Sequence, residues 1–216
     1  MGNFNIIIVI VALIGVAIGL IFLIKTILSE INARKILQHG RKGENFIYDL
    51  LRTHYGASKI IRNAYYKMNN GYTTEIDMIL VGKAGIMVFE IKAMKGFIDT
   101  PFKGDWCQMY NGKVLMFQNP FDQNVTHINA IKQILRKESI PNVKLHNIVV
   151  FTEPSVKFKH KEEMLLTSNR LLPFLADLNR NKFLKSGEIR NIAKILNKYK
   201  LSGKRVQRNH INNLRQ

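Results

Sequence analysis

The sequence predicts an α/β domain, a mixed sheet flanked by helices, preceded by one transmembrane helix. Three observations carry this. An uncharged apolar run opens the chain from Ile6 to Ile24. Beyond it, helical and strand-like segments alternate in the order helix, strands, helix, strand, helix, the pattern of a layered α/β domain. The whole formal charge of +18 lies after the run, on a stretch long enough for one proper core.

The run IIIVIVALIGVAIGLIFLI contains no Pro, Asn or Gln. At about 1.5 Å per residue it roughly matches a hydrocarbon core of about 30 Å. A buried core helix would show a polar stripe, which is missing. A cleaved signal peptide would need a basic start and small residues at the cleavage point, and neither is present. Residues 1–24 are therefore expected to be a membrane anchor, with residues 6–24 in contact with lipid. Lys25, Arg34, Lys35, Arg41 and Lys42 follow the run and nothing basic precedes it except the amino terminus. By the positive-inside rule this makes a single-pass protein of the plasma membrane with its domain in the cytoplasm. A single cysteine, Cys107, fits a reducing compartment. Gly15 and Gly19 form a G-x-x-x-G step that can support a homodimer.

Residues 25–39 read as a basic juxtamembrane helix or linker, 40–201 as the domain and 202–216 as a basic tail with Lys204, Arg205, Arg208 and Arg215. An excess of positive charge this large favours polyanions, either nucleic acid or anionic lipid.

Within the domain, Gly40–Tyr55 has the pattern of an amphipathic helix with Phe46, Ile47, Leu50 and Leu51 inward. Ile60–Tyr66 reads as a strand. Thr73–Val81 and Ile86–Lys92 read as a hairpin joined by a four-residue loop, Gly82–Gly85. Asp105–Tyr110 and Val114–Gln118 flank Asn111-Gly112, a second hairpin signal. Asn119-Pro120 caps a helix to about Lys137, with Val125, Ile128, Ile131 and Leu135 inward. Leu145–Phe151 and Met164–Thr167 read as strands, and Arg170–Leu178 and Gly187–Leu201 as helices.

Polar residues inside apolar strands are the informative exceptions. Asp77 interrupts one strand of the first hairpin; Glu90 and Lys92 interrupt the other and share a face. Counting back from Val81 opposite Ile86 sets Asp77 opposite Glu90, where two carboxylates repel unless a cation or proton separates them. A hard divalent ion such as Mg²⁺ suits such a pair, and an ammonium beside it suits phosphodiester hydrolysis. The bland readings are a solvated edge for Glu90-Ile91-Lys92 and a structural carboxylate for Asp77. Glu44 lies at the edge of the inward stripe of its helix, where it also complements the helix dipole. Glu75 shares the strand face of Asp77.

Gly43-Glu44, Thr74-Glu75-Ile76-Asp77, Gly85-Ile86-Met87-Val88-Phe89-Glu90-Ile91-Lys92, Gly96, Trp106, Asn119-Pro120 and Gln123 with His127, in that order, resemble the NERD (nuclease-related) domain over residues 40–135. The resemblance implies a restriction-endonuclease-like fold in which Asp77 and Glu90 bind Mg²⁺, Lys92 serves the attacking water, and Glu44 and Gln123 line the site. His127, one turn further on the same face, reads as structural or substrate-facing rather than as a general base, and Trp106 as core packing, with nucleic-acid stacking as the alternative. Ala93 and Met78 stand where the family commonly has Asn and His. The expected function is a membrane-anchored, Mg²⁺-dependent nuclease acting on nucleic acid, DNA in the first place. The alternatives are an inactive nucleic-acid-binding or scaffolding module of the same fold, and a lipid-surface protein with structural carboxylates.

Overall fold

The computed structural model of the chain describes Gly2–Leu201, Gly203 and Val206, leaving aside the side chains of residues 2–14, 16 and 17. The chain divides into two units, Met1–Arg41 and Lys42–Gln216. Helix α1, Gly2–Tyr55, makes up the first and contributes its last turns to the second. In the first unit Ile18, Leu20, Ile21, Phe22, Leu23 and Ile24 are each more than half exposed. Among the described residues no helix is long and apolar enough to cross a membrane. Most of the expected Ile6–Ile24 anchor lies outside the residues whose side chains are described, so the anchor rests on the sequence alone. Nearly all of the basic tail, 202–216, lies outside the described residues as well.

The second unit is a mixed α/β fold with two mixed sheets. The larger sheet contains β1 (Ile60–Lys67), β2 (Thr73–Gly82), β3 (Gly85–Lys92), β7 (Leu145–Phe151) and β9 (Leu165–Thr167), in the order β1-β2-β3-β7-β9. β1–β2 and β2–β3 are antiparallel; β3–β7 and β7–β9 are parallel. Helices α2 (Pro120–Lys137) and α4 (Ser186–Tyr199) cover one face through Ile128, Ile131, Ile192 and Leu196. The end of α1 and helix α3 (Ser168–Leu178) cover the other through Ile47, Leu51, Leu171 and Leu175. Strands buried on both faces explain the near-continuous apolar runs of β2 and β3.

Gly82 pairs with Gly85, so the loop between β2 and β3 is the two residues Lys83-Ala84 rather than four, with the expected register kept. Gly85 has φ +124, and a Cβ there would stand 2.2 Å from the carbonyl oxygen of Lys144. Only glycine lets the chain pass so close.

Asn119 caps α2 as its sequence implies, accepting from the Phe121 N–H at 2.9 Å with Pro120 at the first position. Val125, expected inward, is exposed, and Phe46 of α1 is exposed too. In α2 the inward positions of that turn go to Asn124 and His127, because this stretch of the helix faces polar groups of the sheet. A second sheet, which the sequence does not announce as a sheet, joins β4 (Phe97–Asp99), β5 (Trp106–Tyr110), β6 (Lys113–Phe117) and β8 (Lys157–Phe158) in the order β6-β5-β4-β8. Its core is Trp106, fully buried among Ile98, Phe117 and Phe121.

Candidate functional site

Every expected site residue belongs to the second unit, around the point where β2 and β3 part. The β2–β3 ladder ends at Met78–Phe89, one pair short of Asp77 and Glu90. There Asp77 Oδ2 accepts the backbone N–H of Ile91 at 2.8 Å, filling the gap with a side chain.

The same place is irregular on β1. The register pairs Arg62 with Met78 and Ala64 with Ile76, and the intervening Asn63 and Asp77 drop out of the ladder. Face alternation slips on both strands together. Ile61 and Ala64 both pack on the α2 side, as do Ile76 and Ile79. Met78 packs on the opposite side, although it lies two residues from Ile76. Asn63 absorbs the slip with φ +47, a left-handed conformation that is rare in a strand and costs of order 1–3 kcal/mol.

Glu90 is buried and both of its oxygens are engaged. Oε1 meets Lys92 Nζ at 2.7 Å and Oε2 meets His127 Nε2 at 3.3 Å. Lys92 Nζ also donates to Gln123 Oε1 at 3.1 Å. His127 Nδ1 lies 2.6 Å from Thr74 Oγ1, so Thr74, His127 and Glu90 form a hydrogen-bonded chain. Gln123 and His127 stand one turn apart on α2, which is what lets one helix serve both Lys92 and Glu90.

Glu44 comes from α1. Asn63 Nδ2 donates to its Oε2 at 2.9 Å. Its neighbour Gly43 allows the helix to sit close: a Cβ there would meet Thr152 at 3.0 Å and the Ala93 side chain at 3.3 Å. An open cleft of about 530 Å³ lies alongside, lined among others by Thr73, Glu75, Asp77, Gln118, Gln123 and His127.

The electrostatics divide the two central carboxyls. Burial raises the pKa of Asp77 well above the ordinary carboxylate range, and the charges of Glu90 and Glu44 push it the same way. The Ile91 N–H and Lys92 only partly oppose them. For Glu90, burial opposes ionisation, but the His127 hydrogen bond and the Lys92 ammonium outweigh it and hold the pKa below its ordinary value. The site thus has one carboxyl whose charge is compensated and one whose ionisation is opposed by burial and by its acidic neighbours. Two oxygen donors in that state fit a hard cation. Among the described residues, no group of three or more His, Cys, Asp or Glu side chains forms a metal-binding cluster.

The sequence points to Asp77, Glu90, Lys92, Gln123 and Glu44, and the structure brings them together. The parts played by Thr74 and Asn63 emerge only from the structure. Thr74 carries a signal, as a β-branched polar residue in a strand facing a helical His; Asn63 carries none, since Asn in a short strand reads as an edge.

The chain belongs to the NERD (nuclease-related domain) family, whose profile matches residues 39–152, just over half of its length. It is similar to the uncharacterized protein pXO1-01/BXA0003/GBAA_pXO1_0003 of Bacillus anthracis, 34% identical over 107 residues. That match covers 46% of this chain and 48% of the relative, so the chain spans about half the length of the curated protein it matches. No solved structure matches the chain.

Proposed function

We propose that the protein is a Mg²⁺-dependent nuclease that hydrolyses phosphodiester bonds of nucleic acid, DNA in the first place, while held at the plasma membrane by residues 6–24. One observation supports the chemistry: the Asp77 and Glu90 carboxyls and the Lys92 ammonium gather where β2 and β3 part, with Asp77 bonded to the Ile91 N–H and Glu90 paired with Lys92.

Asp77 and Glu90 are the residues that would hold the ion. When bound, it supplies a water that ionises near neutral pH and a positive charge against the phosphate. The chain's own groups do the rest. Lys92, tied to both Glu90 and Gln123, presents a fixed ammonium that orients water or stabilises charge building on the phosphate. Gln123 fixes that ammonium, and His127 fixes the second oxygen of Glu90. The positive excess of the chain draws in phosphates without regard to sequence, so binding should weaken steeply with salt.

The full chain, in detergent, incubated with DNA or RNA and Mg²⁺ tests this reading. Cleavage is expected from wild type, and its loss from Glu90→Ala and Lys92→Ala. Equal degradation by all three, or none with any divalent ion, overturns it. Salt-sensitive binding without cleavage would mark a nucleic-acid-binding or scaffolding module instead.

The anchor is supported by the 19 uncharged residues from Ile6 to Ile24 and by the basic residues that follow them. Alkaline extraction of membranes should leave the protein in the lipid fraction, with the domain sealed from protease in right-side-out vesicles. Release by alkali, or cleavage of the domain in such vesicles, would remove the anchor or its orientation.

A further inference from the structure

We infer that Asn63 is a positioning residue of the site: its amide holds the Glu44 carboxylate, and its left-handed backbone opens the sheet at Asp77. The inference rests on the nuclease reading above and deepens it.

Three observations converge on this residue. It is the partner that the register assigns to Asp77, and that pair alone is missing between Ile60–Leu80 and Lys67–Thr73. It has positive φ without being glycine, in the interior of a strand. Its side chain donates to Glu44, which ties a carboxylate of α1 to the distorted point of β1. A residue kept in a rare conformation at such a point persists only where its surroundings over-determine it.

The surroundings do so. Arg62, immediately before it, donates to Asn45 at 2.9 Å and lies over the Tyr48 ring, 4.6 Å from its centroid. Lys200 Nζ donates to the Arg62 carbonyl at 2.6 Å, and the Leu201 N–H to the Tyr65 carbonyl at 2.8 Å. Helix α1 therefore grips the distorted segment from one element and the end of α4 from another. Neither Arg62 nor Lys200 touches Asp77, Glu90 or Lys92 in any bond described above; what they hold is the backbone that turns Asn63. Asparagine suits the position because it tolerates the left-handed region and carries a donor of the right length.

The chain of effects runs from Asn63 to Glu44 to the charge around Asp77. Losing the amide loosens the Glu44 carboxylate, so the Asp77–Glu90 pair no longer has the third carboxylate fixed at its side. Outer partners of metal-binding groups typically matter by about ten- to a hundredfold in metal affinity.

The test uses the full chain with Asn63→Gly, which accepts φ +47 without strain and lacks the amide. Its melting temperature is measured beside that of wild type and binding and cleavage are compared well below both midpoints, so loss of folding does not confuse the result. Mn²⁺ affinity by calorimetry should fall about tenfold, and kcat on nucleic acid should fall with KM little changed. Glu44→Gln should behave alike, and the double variant should be no worse than Glu44→Gln alone. A wild type that binds Mn²⁺ and cuts, beside an Asn63→Gly that does both equally well, removes the role of Asn63 and leaves the nuclease reading intact. Losses that multiply in the double variant would also remove it, because Asn63 would then act independently of Glu44. A wild type that binds no divalent ion and cuts nothing removes both.

Discussion

Asp77 accepts the backbone N–H of Ile91 at 2.8 Å, a bond made by a side chain where the two strands of a hairpin stop pairing. The arrangement keeps the Ile91 donor satisfied while the strands separate, and it pins a half-buried carboxyl beside Glu90 at the wall of the cleft. Its ionisation is opposed by burial and by its acidic neighbours, and the cost should be measurable.

The pKa of folded Asp77 is raised above its unfolded value, first by burial and then by Glu90. The folded protein then keeps a proton that the unfolded chain releases, so stability falls as pH rises through the raised pKa. Asp77→Asn keeps an acceptor for Ile91 and cannot ionise. Calorimetry should find it more stable than wild type at about pH 8, with the gap closing toward about pH 4, near the ordinary carboxylate pKa. It should also have lost Mn²⁺ binding and cleavage. No gain in stability at the higher pH would show that the Asp77–Glu90 repulsion is already relieved.

Lys92 is the one cation within hydrogen-bonding reach of Glu90 Oε1 among the described residues. Lys92→Met preserves the length of the side chain and removes the charge. In single-turnover cleavage its rate should fall by about a hundredfold or more, with little change in KM. A wild-type rate would assign Lys92 to packing.

His127→Ala leaves Glu90 Oε2 and the buried Thr74 hydroxyl without their shared partner, at a cost of about 1–3 kcal/mol. Burial works against Glu90 ionising, but His127 and Lys92 lower its folded pKa overall. The stability this brings is present above the unfolded pKa and disappears as pH falls through the folded one. Urea unfolding should therefore show a larger loss for the variant at neutral pH than in acid. An equal loss at both would mean that His127 acts on Glu90 only as a packing group.

Gly85→Ala confronts a positive φ and a carbonyl oxygen 2.2 Å from the new methyl carbon. The Ile86 N–H to Lys144 carbonyl bond (2.9 Å) lies at the same crossing and would be displaced with it. A loss of about 3 kcal/mol in chemical denaturation is expected. A smaller one would require the Lys144 backbone to give way.

The hairpin bearing Asp77, Glu90 and Lys92 was legible because strand register follows from simple counting and because charges inside apolar runs stand out. The N-terminal cap of α2 was legible for the same local reason: Asn-Pro at a helix start has one meaning. Val125 and Phe46 were misjudged because both occupy apolar positions by periodicity, while tertiary contacts gave the inward places near Val125 to Asn124 and His127. Of the second sheet, Asn111-Gly112 announces the β5–β6 hairpin, while the rest is not legible because β4 and β8 are three and two residues long and their pairing joins segments some 60 residues apart. Asn63 was invisible for a different reason. Its conformation answers to α1, β2 and the end of α4 at once, and no local pattern reports that.

The order of the large sheet has a consequence for biosynthesis. β3 gains its hairpin partner β2 immediately, but its other neighbour, β7, begins only at Leu145, after 52 further residues have been made. At roughly 5–20 residues per second this leaves one flank of Ile86–Ile91 unpaired for about three to ten seconds on each nascent chain. During that interval a strand with its peptide groups open and its side chains apolar is a template for pairing with other chains. The strand that presents Glu90 and Lys92 is thus one that depends on protection at the ribosome.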